Sequence, residues 1–531
     1  MVLQPDVAGE DRDGNDRCRC DPTMIELVKS FWTPLLAVLQ VGIAAAASAH
    51  AVLYKRDVRA AIGWIGLFWL VPFGGAALYA LFGINRIRRR ASDLRGRRPH
   101  LREAPAVASP PSASLASPAS SDERPESPAP VIATDSWPAA AAAPLPPESA
   151  HLRPVARLLD RIADAPLTGG NAIQPLPGGI SAFGAMLEAI ASATGTIGLA
   201  TYIFDYDAAG KEFADALTRA VERGVQVRVL IDGVGSQYSR PSITGVLRAR
   251  GVIAAEFLPS LIPLSLHYTN LRNHRKILVV DGRTGFTGGM NIRDGHRRLA
   301  GGAAVDDVHF RLQGPVVAHL TETFAADWVF VTGEELAGEG WWPVLGPAGA
   351  VPARGIAAGP DEAFERVRWA LLAALSQARR RIRIATPYFL PDPSLASALQ
   401  LASLRGVAVD ILMPEESNLR LMQWATRAKL YPFVARGCRL WLTPPPFDHA
   451  KLMTVDDAWC LIGSANWDPR SLRLNFEFDV ECYGAEITNA LDRLIDERLT
   501  RARLLEQREI VDRPLALRLR DNAAWLLSPY L

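Results

Sequence analysis

The spacing of apolar residues divides the chain into parts of different character. No charged side chain occurs in residues 31–54 or 60–84, and each run is long enough to cross a bilayer as a helix. The stretch before residue 150 is rich in Pro, Ala and Ser and nearly lacks large apolar side chains, so it cannot offset the entropy lost on folding. The predicted segments are an N-terminal tail over 1–30, a transmembrane helical hairpin over 31–84, a basic and then Pro/Ala/Ser-rich flexible linker over 85–150, and globular structure thereafter.

Charge on either side of the apolar runs predicts their topology. Cationic flanks resist translocation, so the basic cluster after the second run is expected in the cytoplasm, together with the tail and both chain ends. The cluster would also attract anionic lipid head groups, by on the order of 1 kcal/mol per charge, or would act as a topology signal alone. Its members are Arg86, Arg88, Arg89, Arg90, Arg95, Arg97 and Arg98.

A cleavable signal peptide is the alternative interpretation of the first apolar run. Ala47, Ser48 and Ala49 resemble a cleavage site. The tail before the run is acidic, however, and a second apolar run follows at once, which favours the hairpin.

One pattern of helix-like and strand-like stretches occurs twice in the globular part. In each copy a glycine stops a helix just before a β-branched run, and strands that alternate with helices indicate α/β architecture. The sequence predicts two pseudo-symmetric halves with mixed sheets flanked by helices and packed face to face, over 151–345 and 346–531. The matching stretches are 182–193 with 364–379, 197–204 with 382–389, and 223–230 with 405–412.

A chemically informative motif also occurs twice. Both copies read H-x-K-x-x-x-x-D, and each is followed in register by G-x-x-N. Only six of the 58 basic residues are lysine, so a lysine at the same offset in both copies is informative. Histidine and lysine alternate across an extended segment and therefore project to one side. The motif residues are His274, Lys276, Asp281 and Asn291 in the first copy, and His449, Lys451, Asp456 and Asn466 in the second.

This pattern predicts phosphodiester chemistry. One imidazole attacks phosphorus and the other protonates the leaving alkoxide, so the reaction passes through a phosphohistidine. Two ammonium groups and two Asn amides hold the non-bridging oxygens, and no metal or other cofactor is required. A zinc site is the alternative for the histidines, but neither copy has ligand-spaced His or Cys pairs.

Each imidazole needs an acid that fixes its tautomer. Asp307 lies about thirty residues after His274, and Glu477 lies at a similar spacing after His449. We expect these two acids to orient the histidines.

Composition limits the range of functions. The chain has 531 residues, 49% of them hydrophobic, which suffices for two globular halves and membrane segments. A net charge of +2 provides no basic field for nucleic acid. The cysteines lack metal-ligand and disulfide spacing and are expected to be reduced and structural: Cys18, Cys20, Cys438, Cys460 and Cys482.

The duplicated motif resembles that of the phospholipase D superfamily, over about 179–483. Further stretches resemble the cardiolipin synthase branch of that superfamily, and the end of the second apolar run, 72–83, is similar to the hairpin of that branch. In 305–309 the chain reads Val-Asp-Asp-Val-His, where the family usually has Trp-Arg-Asp-Thr-His. The resembling stretches are 202–205, 232–236, 270–276, 386–389 and 475–477.

The resemblance implies an enzyme of the bacterial inner membrane, with several membrane passes and a cytoplasmic catalytic part. It would join two phosphatidylglycerol molecules and release glycerol, with His274 as nucleophile and His449 as general acid and then base. A hydrolase that transfers the phosphatidyl group to water, a nuclease and an inactive scaffold are the alternatives. The hairpin disfavours the nuclease, and the complete motifs disfavour the scaffold.

The last residues, 515–531, place Leu515, Leu519, Ala523, Leu526 and Leu527 at helical spacing, with Arg518 and Arg520 opposite. Such an amphipathic helix lies on the bilayer surface or packs against the catalytic domain. The sequence leaves both possibilities open.

Overall fold

The computed structural model describes residues 22–55, 58–80, 143–259, 271–297, 305–360 and 363–528. The chain separates into two units, Met1–Arg86 and Ile87–Leu531. Most of the predicted N-terminal tail, the basic cluster and most of the predicted linker lie outside the described residues, as do Cys18 and Cys20.

The N-terminal unit contains helices α1 (Pro22–Tyr54), α2 (Val58–Leu70) and α3 (Pro72–Leu78). Within the described residues, one stretch, Pro34–Tyr54, is long and apolar enough to cross a membrane. The second predicted span is interrupted at Val71, which has non-helical dihedrals because Pro72 begins a new helix. The predicted hairpin of two continuous spanning helices is therefore unconfirmed.

The second unit is α/β, as the sequence predicts. Its helices are α4 (Arg153–Ile162), α5 (Gly178–Ser192), α6 (Ala208–Glu222), α7 (Ile243–Ala249), α8 (Val317–Thr332), α9 (Arg366–Gln377), α10 (Pro393–Leu404), α11 (Arg420–Arg427), α12 (Tyr431–Val434), α13 (Pro469–Arg473), α14 (Ala485–Leu499), α15 (Gln507–Val511) and α16 (Leu515–Leu526). Its strands are β1 (Thr168–Pro177), β2 (Thr196–Thr201), β3 (Gln226–Asp232), β4 (Ile253–Phe257), β5 (Ile277–Val280), β6 (Thr284–Gly288), β7 (Val308–Gln313), β8 (Val351–Ala358), β9 (Arg381–Ala385), β10 (Ala408–Pro414), β11 (Arg439–Thr443), β12 (Leu452–Val455), β13 (Trp459–Gly463), β14 (Glu477–Tyr483) and β15 (Arg503–Leu504).

The strands form one mixed sheet that shows the internal repeat. Its order is β15-β11-β10-β9-β12-β13-β14-β8-β1-β7-β6-β5-β2-β3-β4, so each half repeats the other outward from the centre. Strands β1 and β8 join the halves by antiparallel pairing, with Thr168 opposite Ala353 and Asn171 opposite Val351. The halves therefore meet edge to edge through these strands, in addition to sharing a core.

Three large hydrophobic clusters fill the second unit, and a smaller one lies between α11 and α16. One belongs to the first half, and one lies mainly in the second. The third contains Ile277 and Phe310 of the first half together with Leu452 and Phe478 of the second. This shared core fixes the position of one half against the other.

The segment before the first repeat packs on the second half. Leu152, Val155 and Leu159 lie in the same cluster as Ile382 and Trp459, and the buried Ser149 hydroxyl donates to the Ala458 carbonyl at 2.7 Å. Residues 143–150 therefore belong to the packed body rather than to a flexible linker, and the predicted boundary at 151 divides a structural unit.

The aspartates of the two motifs anchor strands rather than line the site. Asp281 follows β5, whereas His274 and Lys276 precede it, and a four-residue strand is roughly 13 Å long. Its carboxylate accepts hydrogen bonds from the amides of Thr194, Gly195 and Thr196 at 2.7–2.9 Å.

Asp456 occupies the equivalent place in the second half. It accepts from the amides of Arg379, Arg380 and Arg381 at 2.7–2.9 Å. The structure therefore does not bring Asp281 and Asp456 to the histidines, contrary to the expectation that they belong to the catalytic set.

We expect Asp281→Ala to destabilise the fold rather than the chemistry. Unsatisfied amides cost about 1–3 kcal/mol, and the Tm should fall by about 2–5 °C. Activity per folded molecule should be retained well below the Tm. The exposed Glu339→Ala is the control, and a full loss of activity with unchanged Tm would contradict this role.

The effect of Asp281→Ala should also depend on pH. Burial raises the pKa of Asp281. The hydrogen bonds from the amides of Thr194, Thr196 and Gly195 lower this pKa by more than burial raises it, so the net pKa lies below the usual value. A lowered pKa in the folded state stabilises the protein above the unfolded pKa of about 4 and loses that contribution as the pH falls further. The Tm difference between wild type and variant should be constant near neutrality and shrink below about pH 4.

Candidate active site

Two short backbone pairings between the halves build the site. The amide of His274 donates to the Phe476 carbonyl at 2.9 Å, and the Phe476 amide donates to the Arg272 carbonyl at 2.8 Å. In the equivalent place, the amide of His449 donates to the Asp306 carbonyl at 2.6 Å, and the Asp306 amide donates to the Phe447 carbonyl at 2.9 Å. The segment that carries each histidine therefore runs beside the segment that carries the acid of the other half.

As a consequence, each imidazole is paired with the acid of the opposite half. His274 Nδ1 lies 2.9 Å from Glu477 Oε2, and His449 Nδ1 lies 2.8 Å from Asp307 Oδ2. Sequence spacing had associated each acid with the histidine of its own half. The structure retains both acids as partners of the histidines but exchanges them.

The two acids are held differently. Glu477 accepts from Ser464 Oγ at 2.6 Å and from Asn475 Nδ2 at 3.0 Å. Asp307 accepts from the amide of Val308 at 2.8 Å, and the position equivalent to Ser464 is Gly289. A Cβ at Gly289 would lie 2.4 Å from Asp307 Oδ1, so this acid has a close backbone neighbour in place of a hydroxyl donor.

The charge state of the two acids follows from these contacts. Burial raises the pKa of Glu477, but His274, Lys276 and the Ser464 hydroxyl lower it, and the net pKa lies below the usual value. Burial raises the pKa of Asp307, and Lys451 offsets only part of this rise. Glu477 is therefore the better stabilised carboxylate.

The histidines also differ. Burial lowers the pKa of His274, while Glu477 opposes the decrease. Burial, Lys451 and Lys276 together bring the pKa of His449 well below its usual value. Both rings are thus neutral near pH 7, with Nδ1 directed at the acid. Lys451 Nζ lies 3.2 Å from Nε2 of His449.

The two motif lysines lie beside their histidines. Lys276 Nζ donates to the His274 carbonyl at 2.7 Å, and Lys451 Nζ donates to the His449 carbonyl at 2.5 Å. Burial lowers the pKa of Lys276 to about 7 and that of Lys451 to about 8. An incoming phosphate would favour the charged form of both groups.

Both imidazoles line a single cavity of about 640 Å³. The predicted phosphate ligands Asn291 and Asn466 line it as well. The side-chain oxygen Oδ1 of Asn291 accepts from the backbone amide of Ile203 at 3.2 Å, which directs the side-chain nitrogen of Asn291 away from the Ile203 backbone. The structure therefore brings the histidines, both asparagines and the two supporting acids to one place.

Several residues of the site were missed by the sequence analysis. His296 lines the cavity, and its Nε2 accepts a hydrogen bond from the backbone amide of Asn291 at 3.3 Å. The centroid of its ring lies 6.2 Å from that of His449. Asp468 also lines the cavity, and burial raises its pKa to about 6. His296 has no counterpart in the second repeat, where Ser471 occupies the position, so the repeat gave no signal for it.

The departure from the family pattern at Asp306 has a structural explanation. Its carboxylate pairs with Arg498 Nη2 at 3.0 Å and also with Arg501, both on or next to α14. Arg498 in addition contacts Asp448 at 3.0 Å. The negative charge at 306 is thus matched by cations of the opposite half.

Two further findings concern metal ligands and thiols. Within the described residues, no group of three His, Cys, Asp or Glu side chains is arranged to hold a metal ion. Cys438, Cys460 and Cys482 are buried free thiols.

The exchanged pairing predicts a specific thermodynamic coupling. His274 contacts Glu477 and not Asp307. The changes in the free energy of unfolding caused by H274A and E477Q should therefore be non-additive, with a coupling of about 1–3 kcal/mol. The effects of H274A and D307N should add. A double-mutant cycle measured by thermal unfolding tests this, and additivity for the first pair would refute the exchange.

Comparison with known proteins identifies the family. The model of the cardiolipin synthase, PLD-like domain matches residues 186–328 and 371–499. The major cardiolipin synthase ClsA of Bacillus subtilis is 34% identical over 371 residues, covering 69% of this chain and 77% of that protein. A cardiolipin synthase of Geobacillus thermodenitrificans is 30% identical over 482 residues, covering 90% of both chains.

A solved structure supports the fold. A phosphatidylserine synthase from Haemophilus influenzae superposes with a TM-score of 0.55 at 15% identity, covering 71% of this chain and all of that one. The duplicated motif, the matching domain model and the extent of the sequence similarity agree: the chain belongs to the cardiolipin synthase family of phospholipase D-like proteins.

Proposed function

We propose that this protein forms cardiolipin from two phosphatidylglycerol molecules and releases glycerol, through a phosphohistidine on His274. The observation that carries the proposal is that two imidazoles, each hydrogen-bonded to a buried acid, line one cavity. A nucleophile and a proton donor on the same phosphodiester require this arrangement.

The first step breaks the bond between phosphorus and the glycerol head group. Nε2 of His274 attacks phosphorus and forms the P–N bond, while the leaving glycerol oxygen takes a proton from His449. In the empty cavity the pKa of His449 lies well below its usual value. The negative charge of a bound phosphate would raise this pKa and so allow His449 to carry the proton that it donates.

The second step transfers the phosphatidyl group. A hydroxyl of the second phosphatidylglycerol loses its proton to His449 and attacks phosphorus, and the P–N bond to His274 breaks. The product is cardiolipin, and His274 returns to its neutral form. Lys276, Lys451, Asn291 and Asn466 would hold the non-bridging oxygens through both steps.

The difference between the two acids supports His274 as the nucleophile. Glu477 is stabilised as a carboxylate by Ser464 and Asn475. It would hold the proton on Nδ1 of His274 and stabilise the cationic phosphohistidine. Asp307 has a raised pKa and suits a histidine that exchanges a proton in each step.

We place the enzyme at the bacterial inner membrane, with several passes and its catalytic unit on the cytoplasmic side. The apolar helix Pro34–Tyr54 and the membrane-embedded substrates support membrane attachment. The basic cluster after residue 85 supports the orientation.

Purified full-length protein with labelled phosphatidylglycerol tests the proposal. Cardiolipin together with released glycerol is the expected outcome. Phosphatidic acid as the sole lipid product would show that water is the acceptor, and the protein would then be a hydrolase rather than a transferase.

The same assay assigns the histidines. After denaturation in alkaline detergent, in which the P–N bond is stable, labelled phosphatidyl groups should be trapped on wild-type protein and on H449A, which retains the nucleophile. H274A should trap none, and turnover should fall by at least about 10³-fold in both variants. Trapping on H274A but not on H449A would reverse the assignment.

The lysines predict a pH dependence of kcat/KM. Because the pKa values of Lys276 and Lys451 are about 7 and about 8, the free enzyme loses the charges that bind phosphate as the pH rises. We expect kcat/KM for phosphatidylglycerol to fall between about pH 7 and 9, with a smaller change in kcat because bound phosphate keeps the lysines charged.

K276R is the matched control for this profile, because a guanidinium stays charged over the whole range. Its kcat/KM should fall less steeply with pH, whatever its absolute value. A flat wild-type profile to pH 9, or the same slope in K276R, would contradict the role of these ammonium groups.

A further inference from the structure

The C-terminal helix α16 presents a leucine stripe to solvent. Leu515, Leu519 and Leu526 are 68%, 62% and 70% exposed. With about 100° of rotation per residue, these three side chains lie within about 40° of one another. Asp521 and Ala524 are buried and lie on the opposite side, so the helix packs through a small, mixed face and leaves its leucines uncovered.

Contacts with α11 hold α16 in this orientation. The Arg520 guanidinium lies 4.4 Å from the Trp424 ring centroid, and Lys429 Nζ lies 3.2 Å from that of Trp525. Asp521 pairs with Arg520 and with Arg513. The exposure of the leucines is therefore a consequence of specific packing rather than of a detached helix.

Helix α11, on which α16 packs, reaches the candidate catalytic cavity. Leu419 and Leu421 are about half exposed, and Leu419 and Met422 line the cavity that contains both histidines. Helix α16 packs on α11 through Ala524, which is buried together with Met422 and Ala425. We call the exposed parts of these two helices the α11–α16 face.

The α11–α16 face is strongly cationic. Over 419–430 and 513–528 the single acidic residue is Asp521, and its charge is matched by two arginines. The cations of the face are Arg420, Arg427, Lys429, Arg513, Arg518 and Arg520.

We infer that the α11–α16 face is a docking surface for an anionic phospholipid bilayer. Leu515, Leu519 and Leu526 would insert into the acyl boundary, and the flanking cations would bind lipid phosphates. Trp424 and Trp525 are partly buried beside Arg520 and Lys429, and tryptophan is favoured at membrane interfaces. Docking would place the mouth of the cavity at the depth of the lipid head groups.

The inference rests on the proposed function, because it takes the substrate to be a bilayer lipid. Continuity with the catalytic cavity and the excess of cations favour a bilayer over a second protein. Docking also adds something that a spanning helix does not provide, since it orients the cavity toward the lipid surface and not only near it.

A depth measurement tests the surface without relying on activity. The full-length protein, with C18S and C20S, receives one environment-sensitive fluorophore at L519C and is reconstituted in nanodiscs with and without phosphatidylglycerol. The remaining cysteines are buried. We expect blue-shifted emission and quenching by nitroxide-labelled lipids in anionic discs, with less of both in purely zwitterionic discs.

The matched control is L404C. Leu404 is also a leucine of the second half and is 66% exposed. It ends α10, just before the first residue of β10, whereas the cavity residue Tyr388 follows the last residue of β9, so Leu404 lies at the opposite edge of the sheet. Equal quenching at positions 519 and 404, or none at 519, would overturn the inference. It would also be overturned if nitroxide-labelled protein quenched the fluorophore at 519 and nitroxide-labelled lipid did not, because the occupant would then be a second copy of the chain.

Kinetics separates docking from chemistry. The double variant L519E/L526E should lose about tenfold or more in kcat/KM for phosphatidylglycerol in bilayers. It should stay within about twofold of wild type for a monomeric short-chain phosphatidylglycerol. An equal loss on both substrates would overturn the docking role, whereas absence of cardiolipin synthesis by wild type would refute the proposed function and leave the depth measurement valid.

Discussion

The site depends on the exchange of backbone hydrogen bonds between the halves. Because the segment of each histidine pairs with the segment of the other half's acid, neither half contains a complete imidazole and acid pair. A small rotation of one half against the other would break both pairs together. The shared core and the pairing of β1 with β8 are what prevent such a rotation, so the stability of the interface and the geometry of the site are the same property.

Much of this arrangement could be predicted from the sequence because the repeat doubles every local signal. Strands β5 and β12 lie between the lysine and the aspartate of their motifs in both halves, and both histidines reach one cavity. The pairing of the acids could not be predicted, since Asp307 and Glu477 follow their own histidines at similar spacing and the sequence has no sign of which half each one faces. Asp281 and Asp456 were assigned to the catalytic set for another reason. Both positions recur in the motif, but a residue that anchors a strand recurs in a repeat just as a catalytic residue does, so recurrence alone cannot separate the two roles.

Two other differences have local physical causes. The second apolar run has the composition of a spanning helix, but Pro72 ends one helix and begins another within it. The C-terminal leucines have the periodicity of a buried face, yet the helix is held by an ion pair and two aromatic contacts on its other side. Periodicity identifies which residues share a face and does not say what that face meets.

The different surroundings of the two acids, Glu477 and Asp307, have a consequence for the duplicated architecture. Glu477 requires Ser464, Asp307 requires the bare backbone of Gly289, and Arg498 reaches across to Asp306, where the equivalent position in the second half is Phe476. Two copies of the second half would set a guanidinium against an aromatic ring at this contact. The two halves are thus complementary and no longer interchangeable, and the covalent link between them guarantees that each half meets the one that matches it.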